Sequence, residues 1–245
     1  MMPHAATSQH ESETFQRDGV AAVRNDYDAH RFSLVMRLAT EFGARPGMRW
    51  LDIGCHNGTF ARMIASSGFK VTGTDVWDPV LMKDSTWSYV RQSNELIPMP
   101  DGSADVVSAV EVIEHIVDTD RFLQEIHRVA SPTALVVLTT PNINMLRNRW
   151  RVLAGKYPHG LEWKTVIHHV RLYNSEKLRS HLNDHDFHVR SVRGLHFLPT
   201  RLCRPRVMRS LSDRLALMLP TLCSTLVVVA SRHPSTAGTR EVTLR

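Results

Sequence analysis

Apolar positions along the chain change their period several times, and each change predicts an element. From Val20 to Phe42 they fall at Val23, Tyr27, Leu34, Val35, Leu38 and Phe42, close to one helical face, with Gly43 where a helix would stop. This predicts a leading helix. After the turn Ala44-Arg45-Pro46-Gly47, Arg49 to Ile53 is a short apolar run, followed by Gly54, Gly58 and a helical stretch from Thr59 to Ser67. Lys70 to Thr74, Tyr89 to Gln92 and Ala104 to Val110 read as further strands. Asp118 opens a helix with Phe122, Leu123, Ile126 and Val129 on one face, and Ser131-Pro132 is expected to end it. Thr133 to Thr139 is then a fully apolar strand. Past Pro141 the spacing predicts a helix over Ile143 to Ala154, a loop over Gly155 to Val170, and a short helix over Ser175 to Leu182. The last strands are Phe187 to Val192 and Thr225 to Ala230. The segment between them, Gly194 to Leu222, is too long for a hairpin turn and reads as an insertion or lid.

Strands that are continuous apolar runs, alternating with helices, argue for a parallel sheet covered on both faces. The fold class is therefore α/β. A length of 245 residues, 42% hydrophobic and 22% charged, suits one large globular domain and excludes disorder, collagen or coiled coil for the chain as a whole. The division expected is a polar tail at 1–19, a domain at 20–232 and a second tail from 233 to 245. Cys55, Cys203 and Cys223 lack any C-x-x-C spacing, so neither a disulfide framework nor a zinc knuckle is implied, and a cytoplasmic setting is expected. The apolar run Leu215 to Ala230 is broken by Pro220 and falls short of the roughly 18–20 residues of a spanning helix.

The chemistry concentrates at strand ends. Leu51-Asp52-Ile53-Gly54-Cys55-His56-Asn57-Gly58 closes the first strand and enters a helix, where open α/β sheets bind nucleotide-like ligands. Asp75 ends the second strand, and a carboxylate there can accept both hydroxyls of a ribose. Gly54 and Gly58 leave room for close backbone approach. The spacing is not G-x-G-x-x-G, which weakens a pyrophosphate and hence a nicotinamide reading.

At these residues the sequence resembles the class I S-adenosylmethionine-dependent methyltransferases. The blocks LDIGCHNG (51–58), VTGTD (71–75), LIPMPDGSADVVSAVEVIEHI (96–116) and RFLQEIHRVASPTALVVLTTPN (121–142) carry the match in family order. The resemblance implies a Rossmann-like, doubly wound sheet of seven strands, mostly parallel with the last antiparallel. The cofactor, S-adenosylmethionine, would lie across the carboxyl ends of the first strands. Asp52 and Gly54 would line its methionine portion, Asp75 would hold the ribose, and Glu111 would lie beneath it. Many relatives have glycine where His56 stands. The acid that often binds the adenine amine is missing, and Gln92 is the expected substitute, because an amide oxygen accepts the same bond. Trp77 either covers the adenine or packs, and Cys55 is read as a packing residue.

Methyl transfer to a hydroxyl needs a base, for which His115 is the first candidate and His169 the second. His169 precedes Arg171-Leu172-Tyr173-Asn174-Ser175, which resembles the segment where such enzymes build the acceptor site. The acceptor expected is a small molecule, sugar or lipid-like precursor. A rival reading is a metal-assisted O-methyltransferase of the quinone-precursor type, with Glu111, Glu114, His115 and His169 as the ligand set. Another is a non-catalytic scaffold that binds S-adenosylmethionine. The arginines from Arg190 to Arg214, interleaved with Phe197, Leu198, Leu202, Val207, Met208 and Leu211, read either as a solvated face or as peripheral contact with the inner face of a membrane through 194–222. A net charge of +6 with 7% aromatic residues and no recognisable motif gives no reason to expect a nucleic-acid partner.

Overall fold

In the computed structural model, residues 26–76, 86–93, 96–159, 169–198, 200–203 and 206–232 are described. In chain order they form α1 (Asp26–Glu41), β1 (Arg49–Ile53), α2 (Thr59–Ser66), β2 (Lys70–Asp75), β3 (Ser88–Arg91), β4 (Ala104–Val110), α3 (Thr119–Val129), β5 (Ala130–Pro141), α4 (Leu146–Leu153), α5 (Ser175–Asp184), β6 (Phe187–Leu195), α6 (Arg206–Met218) and β7 (Thr225–Arg232). Both expected tails and Trp77 lie outside the described residues, as does most of the loop expected from Gly155 to Val170.

The strands make one sheet of seven in the order β3-β2-β1-β4-β5-β7-β6. All neighbours from β3 to β5 are parallel, and β7 runs antiparallel to both β5 and β6. This is the expected doubly wound sheet. From β1 the chain winds first toward β2 and β3, then crosses back to β4, so the switch point falls between the carboxyl ends of β1 and β4, at Ile53–Gly54 and Val110–Glu111.

Alternation along each strand divides the core in two. Leu51, Ile53, Val107, Ala109, Val136 and Leu138 face a cluster with Phe122, Ile126, Leu178 and Leu182 of α3 and α5. Trp50, Val71, Val106, Val137, Val227 and Val229 face the other, with Leu34, Val35 and Leu38 of α1 and Phe60 and Ile64 of α2. Burial on both faces is why the strands read as unbroken apolar runs.

Several boundaries differ from the sequence reading, and β6 runs on to Leu195, into the segment expected as an insertion. Helix α3 ends at Val129, and β5 begins at Ala130 by pairing with Ala104; the register then jumps so that Val106 meets Leu135. Ser131-Pro132 thus sits in a strand irregularity instead of ending the helix, a position that tolerates a residue with no N–H. Among the described residues, the arginines expected as one cluster divide, with Arg190 and Arg193 on β6 and Arg209 and Arg214 on α6, and Arg204 lies outside the described residues. Arg190 lies over the Phe42 ring, 5.5 Å from its centroid, while Arg209 and Arg214 belong to α6. Between β6 and β7, α6 packs on β6, and Ser212 Oγ accepts the Leu198 N–H at 3.2 Å. Among the described residues, no helix is long and apolar enough to cross a membrane.

Candidate active site

The loop after β1 is laced to the end of β2. Gly54 and Cys55 both donate their N–H to the Thr74 carbonyl, at 2.7 and 3.1 Å, and the His56 N–H donates to Asp75 Oδ2 at 2.8 Å. Holding these bonds forces the loop through left-handed backbone, with φ of 71° at Gly54, 47° at His56 and 71° at Gly58. At His56 this explains why glycine suits that place: a Cβ there costs about 1–2 kcal/mol. Gly54 and Gly58 are demanded by packing as well. A Cβ at Gly54 would lie 2.5 Å from Val112 Cγ2, and one at Gly58 would lie 2.2 Å from the Trp87 ring.

Two carboxylates stand side by side at the ends of β1 and β2. Asp52 is buried, and its Oδ1 accepts from Ser108 Oγ at 2.7 Å, which in turn accepts the Trp50 indole N–H at 2.8 Å. Burial pushes its carboxyl up to about 7, against the Ser108 bond that favours the ionised form, and the charge of Asp75 adds to the rise. The Asp75 backbone carbonyl accepts from the Tyr89 hydroxyl and the Gln92 N–H, each at 2.8 Å. Gln92 is buried beside it with its amide oxygen on Thr74 Oγ1 at 3.0 Å. The buried Cys55 thiol is pushed far up, by burial first and then by the two aspartates, which leaves it an inert packing group.

Past β4 the chain turns sharply at Glu111, where φ is 56°. Thr139 on β5 holds this turn: its Oγ1 accepts the Glu111 N–H at 3.0 Å and donates to Glu111 Oε1 at 2.8 Å. The other carboxylate oxygen meets Arg31 of α1 at 3.0 Å. One short helical turn later, Glu114 is buried with Oε2 accepting from Thr140 Oγ1 at 3.1 Å, while Oε1 has no hydrogen-bond partner and faces His115 Nε2 at 4.0 Å. Burial, reinforced by the charge of Glu111, pushes the Glu114 carboxyl up to about 8. The Glu114 carbonyl accepts the N–H groups of Val170 and Arg171 at 2.8 and 3.0 Å. That brings His169 edge-on to His115, ring centroids 4.9 Å apart.

The structure therefore gathers the sequence candidates into two neighbouring groups. Asp52, Gly54, Gly58, Asp75 and Gln92 surround the β1–β2 ends, and Glu111, Glu114, His115 and His169 surround the β4 end. Of the four residues weighed as metal ligands, Glu114, His115 and His169 bring donor atoms within 4.8 Å of one another. Glu111 is committed to Arg31 and Thr139 instead. Sequence reasoning missed Arg31, Ser108, Thr139 and Trp87. Ser108 and Thr139 are polar interruptions inside apolar strands, a signal that was legible; Arg31 on a leading helix carried none.

The donor set fits S-adenosylmethionine. A carboxylate with its inner oxygen fixed by a loop N–H suits a ribose diol, and a second carboxylate poised near 7 suits a neighbouring ammonium or sulfonium charge.

A family described as a methyltransferase domain matches residues 27–192. Ubiquinone biosynthesis O-methyltransferase of Rickettsia akari is 24% identical over 62% of this chain and 63% of its own length. The mitochondrial protein of that name from Bos taurus is 28% identical over 69% of this chain and 50% of its own length. The chain thus spans between half and two thirds of these relatives. Among solved structures, a SAM dependent methyltransferase from Aquifex aeolicus superposes with a TM-score of 0.55 at 17% identity, covering 81% of this chain and 89% of that one, a likeness of fold.

Proposed function

The chain belongs to the methyltransferase-domain family as a class I S-adenosylmethionine-dependent enzyme, and from that premise we propose that it methylates an oxygen of a small-molecule acceptor bound over the β4 end. The observation that carries this reading is the convergence of Glu114, His115 and His169 beside the two strand-end aspartates. Bound S-adenosylmethionine supplies an activated methyl group, so the protein's work is to position the two partners and to take one proton.

Asp75 would hold the ribose hydroxyls and Asp52 the charged methionine end, with Gln92 at the adenine side. Glu111, fixed by Arg31 and Thr139, would form the floor. His115, 44% exposed at the mouth, is the base that receives the acceptor's hydroxyl proton, an effect worth about 10²–10⁴-fold. Glu114 lies behind it, with a carboxyl oxygen 4.0 Å from His115 Nε2, and His169 lines the acceptor side. The relatives' names support an oxygen acceptor of the ubiquinone-precursor kind.

The proximity of Glu114, His115 and His169 also favours a second reading, in which a divalent ion held there positions a catechol-like acceptor. One assay separates the two. Methyl transfer to a catechol-like phenol should survive chelator and fall at least a hundredfold in His115→Ala with cofactor affinity unchanged; loss with chelator selects the metal reading, and full turnover in His115→Ala removes the base.

We also propose a lipid contact through α6, whose exposed Val207, Leu217 and Met218 lie among Arg209 and Arg214. Sedimentation with anionic vesicles should fall steeply with salt. Absence of sedimentation at low salt would contradict this.

A further inference from the structure

Away from the methyl-transfer site, a second group of metal-ligating side chains gathers where α5 meets the first turn of α3. His181, in the last turn of α5, and His185, at its C-cap, are four residues apart and share a face of the helix. Both direct Nε2 at one oxygen, Asp120 Oδ1, at 2.8 Å from His181 and 3.3 Å from His185. The three donor atoms lie within 4.8 Å of one another.

The other ring nitrogens are already committed. His185 Nδ1 is 2.9 Å from the His181 carbonyl oxygen. A carbonyl only accepts, so Nδ1 carries the hydrogen and the neutral ring turns the Nε2 lone pair toward Asp120. His181 Nδ1 is 3.0 Å from the buried Tyr173 hydroxyl, which fixes the orientation of that ring. Imidazoles whose outer nitrogen is held by a carbonyl or hydroxyl, while the inner nitrogens converge, are the arrangement found around bound metals. At His185 a lone pair facing the carboxylate oxygen is repulsive, so that edge calls for a proton or a metal ion, while at His181 an Nε2–H donated to Asp120 Oδ1 at 2.8 Å is the bond that an ion would displace.

The spacing suits an ion. Ligand bonds of about 2.0–2.1 Å in a tetrahedron give edges of roughly 3.3 Å. The His185–Asp120 edge already has that length, and the His181–Asp120 edge needs to open by about 0.5 Å. Asp120 is 70% exposed, which leaves an entry path and an outer position for water.

We propose that Asp120, His181 and His185 form a binding site for a first-row divalent ion of the zinc class, separate from the methyl-transfer site. Two imidazoles and one carboxylate select zinc, cobalt, nickel or copper over magnesium or calcium. The ion would tie α5 to α3. Through Tyr173 it would also brace the segment from Val170 to Tyr173, whose Val170 and Arg171 N–H groups hold the Glu114 carbonyl.

The test uses untagged full-length protein stripped with chelator, in a His115→Ala/His169→Ala background that removes the competing group. Cobalt(II) titration is read by visible absorption and zinc(II) titration by calorimetry. One equivalent should bind, with a tetrahedral cobalt(II) band and a zinc-dependent rise in melting temperature. Adding Asp120→Asn or His185→Gln should lower affinity at least tenfold and abolish that rise. Melting without metal reports whether each variant folds, and the exposed Asp120→Asn carries the test if His185→Gln does not. No uptake in the parent, or equal uptake in Asp120→Asn, would mean that a proton alone fills the edge and would overturn the proposal.

Discussion

Arg31 of α1 and Glu111, at the turn after β4, meet through an ion pair of 3.0 Å that ties the leading helix to the carboxyl end of β4. The Arg31 side chain is 11% exposed and that of Glu111 23%, so neither partner is well placed to regain water if the other is removed. Arg31→Met should therefore lower stability by about 1.5–3 kcal/mol, the worth of a hydrogen bond to a charged group. Urea denaturation measures this directly. A change below about 0.5 kcal/mol would show that α1 is not anchored through this pair.

The loop after β1 separates two consequences of side-chain size. Gly54→Ala places a Cβ against Val112 in left-handed backbone and should destabilise the protein and weaken cofactor binding together. His56→Gly keeps the N–H that Asp75 accepts and relieves strained backbone, so its stability should stay within about 1 kcal/mol of wild type and its binding should be preserved. Thermal melting with and without S-adenosylmethionine tests both. A large loss of binding in His56→Gly would instead assign the imidazole a direct role.

Asp52 makes native stability sensitive to pH. Its carboxyl is raised from an ordinary 3.8 to about 7 in the native state, so between those values the folded protein holds a proton that the unfolded chain has released. Native stability contributed by this group is therefore lost as pH rises through that window. Asp52→Asn should flatten the decline between about pH 4 and 7. A cationic ligand seated beside Asp52 favours the carboxylate, so binding near pH 7 should release protons. Calorimetry in buffers of different ionisation enthalpy measures the sign, and proton uptake would contradict this placement.

The parts of the fold legible in sequence were those whose physics is local or periodic. Strands buried on both faces announce themselves as apolar runs, and the acids at 52 and 75 are conspicuous because they end such runs. The end of α3 was misplaced because Pro132 reads as a helix stop, whereas pairing of Ala130 with Ala104 starts the strand before it. Arg31 matters through a partner far away in the chain, and nothing in its neighbours marks it, whereas Ser108 and Thr139 show as polar interruptions of apolar runs without revealing which partners they meet. The same holds for Asp120, whose meeting with His181 and His185 depends on how α3 and α5 pack. His115 and His169 were legible as chemistry, but their approach rests on the Glu114 carbonyl, a backbone acceptor that no residue type betrays.

In the proposed site the β1–β2 ends hold S-adenosylmethionine with Asp75 on the ribose. Calorimetric titration of the wild-type chain and Asp75→Ala with S-adenosylmethionine and with its demethylated product tests this most directly. Wild type should bind both, and the variant should lose about 1.5–3 kcal/mol, tenfold or more in Kd, for both ligands alike, because each carries the same ribose. Equal affinity of variant and wild type, or no binding by a folded wild-type chain, would contradict it.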